Sequence, residues 1–365
     1  MNWFGFGFNA FGQILDREQK VSPGGDKDDA DDDVKSYTCL TPIKLERVDS
    51  SQQSRLSASW SRTAQLRLHD EDGRVYLSGC GVDVADGGCM TESLGCKDAL
   101  LGERYLTLGF QNKAECWDLQ RHGPAPAWSM ETSVPGGYIA TKPPFYRPLA
   151  PQLKAVSLAL GAEHAVLLSG SGIVYTWGIG SHGQLGHSGL TPEKEPRPVE
   201  ALCGLCMSSV ATGGWHSACI SAGGDLYVWG WNESGQLGLP SQAMRTSQGH
   251  ESIKETSSCQ EASTAARGEE QKAGESEEVF ISIQAFPALL DLTESCDVSK
   301  VSCGSRHTAA VTSDYGQLGD GTSRSSDEPR CVAFFRQRGL TVVDVVCGPW
   351  NTFAMAAAKE EAAQS

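Results

Sequence analysis

The chain has 365 residues, 39% of them hydrophobic, enough to bury the core of one large β domain or of two ordinary ones. A formal net charge of -15, with no Lys/Arg run, sets aside direct binding to DNA or RNA phosphates. No apolar stretch reaches the roughly 20 residues of a membrane helix, and no membrane association is expected.

The N-terminal stretch WFGFGFNAFGQI (3–14) carries four Phe, a Trp and three Gly. It lacks a basic leader, and Gly5, Gly7 and Asn9 interrupt the apolar run, so it does not read as a secretory signal. Thirteen scattered Cys, an odd number, point the same way, to thiols kept reduced inside the cell. An acidic loop follows at 22–36, with six Asp in the ten residues 24–33. Units with weak strand patterns span 44–90 and 95–145, the second holding LLGERYLTLGF and AECWDL. A second low-complexity stretch, 241–278, is rich in Ser, Glu, Gln and Ala, and like the acidic loop reads as a solvated surface segment.

The clearest pattern is an internal repeat. Residues 160–188, LGAEHAVLLSGSGIVYTWGIGSHGQLGHS, align with 213–241, GGWHSACISAGGDLYVWGWNESGQLGLPS. His164 and His216 are 52 residues apart, as are Gln184 and Gln236. Each copy runs from Gly-x-x-His through a short apolar run and a Gly turn to a strand ending in Trp-Gly (Trp177-Gly178, Trp229-Gly230), then Gly-Gln-Leu-Gly. A third copy runs from Cys303 through His307 and Gln317 to Ser323. A period near 50, two strand patterns per unit and few helical ones predict β-propeller blades over 153–200, 206–240 and 298–335. In such a blade the Trp of Trp-Gly would fill the space between neighbours.

These residues resemble the regulator of chromosome condensation family, whose blades carry the same Gly-x-x-His, Trp-Gly and Gly-Gln-Leu-Gly pattern. The resemblance is specific over 153–240 and 298–330 and implies a propeller, commonly of seven blades. With the repeat in hand, FGFNAFGQI (6–14) aligns under WGWNESGQL (229–237), placing Phe6 opposite Trp229, Gly7 opposite Gly230 and Gln13 opposite Gln236. Residues 1–15 then read as the second half of a blade whose first half is 342–358, with Asn351 in the His place. Pairing of the two ends would close the ring and remove exposed sheet edges. In the degenerate unit at 57–79, Arg62 replaces His and Ser78 replaces Trp. Six units can be counted.

The third copy is short. From His to the Gly before Gln is 19 residues in the two full copies and 9 in the third, from His307 to Gly316. The missing ten are the strand that should carry Trp-Gly. Such a loss would cost several kcal/mol in unpaired and unpacked structure. It reads as an alternative transcript or a gene model lacking an exon edge rather than as a tolerated defect.

Three motifs invite a chemical reading. GIGSHG (178–183) fits a dinucleotide fingerprint but opens no helix of a βαβ unit. Cys203, Cys206, His216 and Cys219 lie within 17 residues, yet His216 is a repeat position, and buried thiols explain the cysteines better than zinc. His164, His216 and His307 recur one per blade and cannot converge on one substrate atom, so they are expected to satisfy buried backbone groups. No catalytic residue, cofactor or metal is expected. The repeat positions Gly7, Gln13, His164, Trp177, Gly178, Gln184, His216, Trp229, Gly230, Gln236, His307, Gln317 and Asn351 are assigned structural roles.

The expected function is a non-enzymatic interaction scaffold. The family resemblance, extended over the chain's layout, implies a chromatin adaptor in the nucleus that partners a JmjC-domain oxygenase and histones, with the cytoplasm as a further location. The alternative it implies is nucleotide exchange on a Ran-type small GTPase, although no exchange motif can be matched residue by residue.

Overall fold

The computed structural model describes residues 1–14, 38–45, 53–69, 72–82, 88–120, 125–131, 139–140, 147–148, 150–241, 280–292, 297–312, 316–317 and 326–358. The chain opens with β1 (Asn2–Phe8) and β2 (Thr38–Lys44). Blade 1 is β3 (Gln53–Ala58), β4 (Arg62–His69), β5 (Asp72–Gly79) and β6 (Cys89–Met90). Blade 2 is β7 (Asp98–Leu101), β8 (Tyr105–Gly109), β9 (Lys113–Asp118) and β10 (Trp128–Glu131). In the third position, among the described residues, β11 (Ile139–Ala140) pairs with β12 (Arg147–Pro148). Blade 4 is β13 (Ala155–Leu160), β14 (His164–Ser169), β15 (Val174–Gly178) and β16 (Glu193–Pro198). Blade 5 is β17 (Met207–Thr212), β18 (His216–Ser221), β19 (Leu226–Trp231) and β20 (Ile283–Leu289). Among the described residues blade 6 has three strands, β21 (Val298–Cys303), β22 (Thr308–Thr312) and β23 (Gly316–Gln317).

The closing blade joins the two ends of the chain. Its order is β24 (Leu340–Cys347), β25 (Asn351–Ala358), β1, β2, all antiparallel. The first strands β13, β17, β21, β24, β3 and β7 lie alongside one another in that order, so they form the inner wall of the propeller. The fold is therefore an all-β propeller. Among the described residues six sheets of three or more strands stand in the places of the six units read from the repeat, and β11–β12 adds a smaller one.

Several boundaries differ from the sequence reading. The half-blade 1–15 gains β2 as its outer strand, so blade 1 begins at Gln53 rather than at residue 44. The fourth strand of blade 5 lies beyond the insertion, and the 95–145 unit divides into blade 2 and β11–β12. A degenerate sequence hides an outer strand because that strand contributes little to the core; β16 and β20 have no fully buried run. The acidic loop 22–36 and the insertion 241–278, Ser241 apart, lie outside the described residues.

β1 shows why the opening stretch is aromatic. Alternate residues of a strand face opposite sides, and here both sides are core. Trp3 packs with Ile14, Leu56 and Phe353 toward blade 1, and its indole N–H donates to Ser54 Oγ at 3.0 Å. Phe4 points the other way, edge-on to Phe335 with ring centroids 5.5 Å apart, in a cluster with Val332, Val342 and Val345. Phe6 holds the Trp229 register, pairing with Thr352 as Trp229 pairs with Ser217, but it is only half-buried whereas Trp229 is buried between blades 4 and 5.

Blade 6 shows what the ten-residue shortfall does. Gly316 and Gln317, whose equivalents lie in the turn after the third strand of the full blades, here pair with Val311 and Ala310 as a two-residue third strand. The short helix α1 (Ala333–Gln337) lies against β24 and seals the neighbouring core with Phe334 and Phe335.

Deleting residues 1–14 takes the third strand from the closing blade and leaves β2 without its partner. The expected outcome is loss of a single cooperative melt, read by calorimetry. The milder Phe4→Ala should keep cooperativity and cost about 3–5 kcal/mol in denaturant unfolding.

Candidate protein-interaction face

The repeat histidines are joints between blades. In β18 the residue paired with His216 is Gly230, and in β14 the residue paired with His164 is Gly178; Asn351 pairs with Gly7 and Arg62 with Gly79 in the same register. Gly230 has φ +111, and a Cβ there would stand 2.6 Å from Trp215 O; Gly7, at φ +100, meets Trp350 O in the same way. Glycine is required because the hairpin that presents the imidazole crosses directly over it.

Each imidazole reaches the next blade. His164 Nε2 lies 2.9 Å from Ser217 Oγ, His216 Nε2 3.0 Å from Thr308 Oγ1, and His307 Nε2 3.1 Å from Thr352 Oγ1. Ser217 Oγ donates onward to Gln184 O at 2.9 Å, and Thr308 Oγ1 to Gln236 O at 2.7 Å. A hydroxyl that gives its proton to a carbonyl must accept from the ring, so His164 and His216 are assigned as the Nε2–H tautomers. Gln184 O also accepts the Trp229 indole N–H at 2.8 Å. Each Nε2 thus meets a hydroxyl of the adjacent blade. Burial pushes the His216 imidazole down to about 3, with His164 and His307 adding to the shift, and desolvation lowers His307 to about 4.

The Gly-Gln-Leu-Gly turns repeat a second device. Gln184 Oε1 accepts from His182 N, Gln236 Oε1 from Ser234 N and Gln13 Oε1 from Phe11 N. Asn232 Oδ1 accepts from Leu237 N as Asn9 Oδ1 does from Ile14 N, so the N-terminal copy reproduces the turn bond for bond. At blade 1 other groups take over. Gln13 Nε2 donates to Trp60 O at 2.8 Å, and Arg62 Nη1 donates to Glu103 O of blade 2 at 2.9 Å.

Antiparallel connectivity puts the hairpin tips between first and second strands, and the turns between third and fourth, at one end of every blade. The tips are tied together, Ala162 N to Gly214 O, Gly214 N to Gly304 O and Ser305 N to Pro349 O. The residue before each His or Asn, namely Glu163, Trp215, Arg306 and Trp350, therefore stands along this face. Trp215 and Trp231 meet edge to face at 5.6 Å beside His182, Arg306 lies 4.9 Å over the Trp231 ring, and Trp215 Nε1 donates to Glu163 Oε2. At the closing joint Phe8 stacks on Trp60 at 5.1 Å, and Trp60 meets Trp350 at 6.0 Å. Trp60 and Trp350 are 40% and 48% exposed.

Sequence reading passed over these aromatics, although the repeat alignment carries the signal in the residue before His and the residue two beyond Trp. It also placed the Cys-x-x-C thiols in the interior. Cys203 and Cys206 are exposed, in the connection leading into β17 at the opposite end of the blades, while Cys219 is buried against Met207. A short loop between blades lacks the apolar neighbours that a strand gives its thiol. Among the described residues no group of three or more His, Cys, Asp or Glu is placed to hold a metal ion. Residues 178–183 form a turn after β15 and begin no helix.

Glycine-seated histidine joints, repeated blade after blade in a ring closed by the chain's own ends, define a repeat propeller of one type. The chain belongs to the regulator of chromosome condensation (RCC1) repeat family. That repeat matches residues 171–220, 223–254 and 312–355, and a second form of it matches 155–184 and 207–236. RCC1 domain-containing protein 1 of Mus musculus is 38% identical, with 98% of each chain covered. Its Homo sapiens counterpart is also 38% identical, over 98% of this chain and 97% of that protein. Among solved structures, Prp20p of Saccharomyces cerevisiae, described together with its binding to Gsp1p and histones, superposes with a TM-score of 0.65 at 14% identity, covering 100% of this chain and 94% of that one. At that identity the likeness concerns the fold.

Three outcomes follow from the joints. The unfolded His titrates near 6.5 and folded His216 near 3, so between those values the unfolded state binds more protons and stability rises with pH. Denaturant midpoints should be level above about pH 7 and fall as pH drops from about 6.5 to 4, by up to ~1.4 kcal/mol per pH unit for each such His. His216→Asn should lower stability at pH 7 and flatten that slope. Gly230→Ala should cost about 2–4 kcal/mol by the same measurement, from strain at positive φ and the close carbonyl.

Proposed function

We propose that the protein is a non-enzymatic adaptor, a propeller whose loop face holds other proteins together. The observation that carries this is the fate of the repeat imidazoles. Those best suited by type to acid-base work are spread one per blade, and each is engaged with a hydroxyl of its neighbour. The aromatic tips and turns, by contrast, gather on one face, where large amphipathic side chains serve as interface anchors.

The finer reading is a chromatin adaptor for a JmjC-domain oxygenase, with histones as the second partner. It acts in the nucleus and on chromosomes, with passage through the cytoplasm, and bears on histone methylation state, chromosome segregation and spindle organisation. Near full-length similarity to RCC1 domain-containing protein 1 supports this layout, and the histone binding named for Prp20p supports the histone part. The second reading is nucleotide exchange on a small GTPase of the Ran type, favoured by the Gsp1p binding named for the same structure.

Affinity purification of the full chain from nuclear extract separates the two. Recovery of a JmjC-domain oxygenase with histones is the expected result. Recovery of a small GTPase instead, with guanine-nucleotide release accelerated at catalytic amounts of this protein, would replace the adaptor with the exchange factor.

A further inference from the structure

The two segments that interrupt the described chain most heavily both open from the aromatic face. One runs from Ile14 to Thr38, between the third and fourth strands of the closing blade; the other runs from Ser241 to residue 280, between the third and fourth strands of blade 5. Residues 15–37 hold eight Asp/Glu and four Lys/Arg, and residues 242–279 again hold eight and four. Nothing in propeller geometry requires this coincidence. Turns between third and fourth strands, connections between blades and hairpins at the other end could all take insertions. The two blades that receive them carry aromatics of both clusters, Phe8 and Trp350 of the closing blade, which meet Trp60 of blade 1, and Trp215 and Trp231 of blade 5.

The face also displays the contact chemistry internally. The Arg306 guanidinium lies over the Trp231 ring, and Glu163 holds the neighbouring indole of Trp215. An electron-rich ring face beside carboxylates accepts a guanidinium or ammonium. Two joints further round, Trp60 and Trp350 present the same ring type to solvent. A protein of net charge -15 draws basic partners in over a distance set by salt, and aromatic anchors then fix them.

We propose that this face docks a Lys/Arg-rich segment of a partner protein, its cations laid against the exposed indoles of Trp60 and Trp350. The proposal deepens the adaptor reading and rests on it by naming the face and the chemistry of what it holds. The chain's net negative charge raises the local concentration of the basic segment, while the indoles give the contact its place. Nucleic acid is repelled by the same field.

The test uses the full chain and a fluorescein-labelled peptide of alternating Lys, Arg and Gly, followed by anisotropy at about 50 and about 300 mM salt. The expected result is binding that weakens steeply with salt, and about tenfold weaker binding by Trp60→Ala/Trp350→Ala. A Glu-based peptide of equal length should not bind. Leu205→Ser and Ile173→Ser, exposed apolar positions in connections at the opposite end of the blades, should bind as the unaltered chain does. Because Trp60 stacks on Phe8, Trp350→Ala alone serves as the second variant, with a thermal melt on each. The proposal is overturned if the basic peptide does not bind at low salt, if Trp350→Ala binds it unchanged, or if the opposite-face variants weaken it equally. Failure here with the oxygenase and histones still recovered from extract would remove the docking face and leave the adaptor standing. Failure to recover them, with the peptide results as expected, would remove those partners and keep the face.

Discussion

The joint from imidazole to hydroxyl to backbone carbonyl sets the geometry of the whole ring. A blade has two broad faces and cannot satisfy its apolar surface alone, so a propeller depends on how each sheet registers against the next. Apolar packing supplies most of the stabilisation but is not directional. His164, His216 and His307 add direction, each fixing a hydroxyl of the following blade, and two of those hydroxyls are in turn tied to the turn that precedes it. The motif is inseparable from its glycines. Gly213 lies so close to its own His216 ring and to Gly304 O that any side chain there would displace both.

Where the joint changes chemistry, the repeat fades in sequence without fading in space. Asn351 donates to Phe8 O inside the closing blade, and Arg62 reaches Glu103 O in blade 2. Both keep the register against a positive-φ glycine that His keeps elsewhere. Inter-blade bonding therefore tolerates several donors, whereas the backbone crossing that presents the donor tolerates few. The family relationship is visible chiefly at glycines and turn residues for that reason.

The sequence carried the architecture well where one residue type has one physical solution. Gly7, Asn9 and Gln13 could be matched to Gly230, Asn232 and Gln236 because each performs the same local act in both places. Outer strands were harder. β2 and β20 were missed because a strand with one exposed face and a bulge can be written in many residues, and both follow long charged insertions. The aromatic face was invisible for a different reason. Trp60, Trp215 and Trp350 occupy tip positions that the repeat leaves open, and only the ring brings residues from distant parts of the chain side by side. The short third strand of blade 6 was legible as a deficit, but its repair was not. That repair recruits Gly316 and Gln317 from a turn into the ladder, and Phe334 and Phe335 into the adjoining core.

The closing blade also dictates an order of events during synthesis. Asn2 pairs with Ala356 and Gly7 with Asn351, so β1 is made long before β25, the strand that covers it. Until that strand is made Trp3 lacks Phe353 and Phe4 lacks the whole of its cluster, and contacts of such sequence separation form slowly. The nascent chain must carry a sticky aromatic strand through much of its elongation, the condition under which chaperone engagement and wrong pairing between chains compete with folding. Circular permutants that move the termini into a connection between complete blades would make the closing sheet local in sequence, and should fold faster while reaching the same ring.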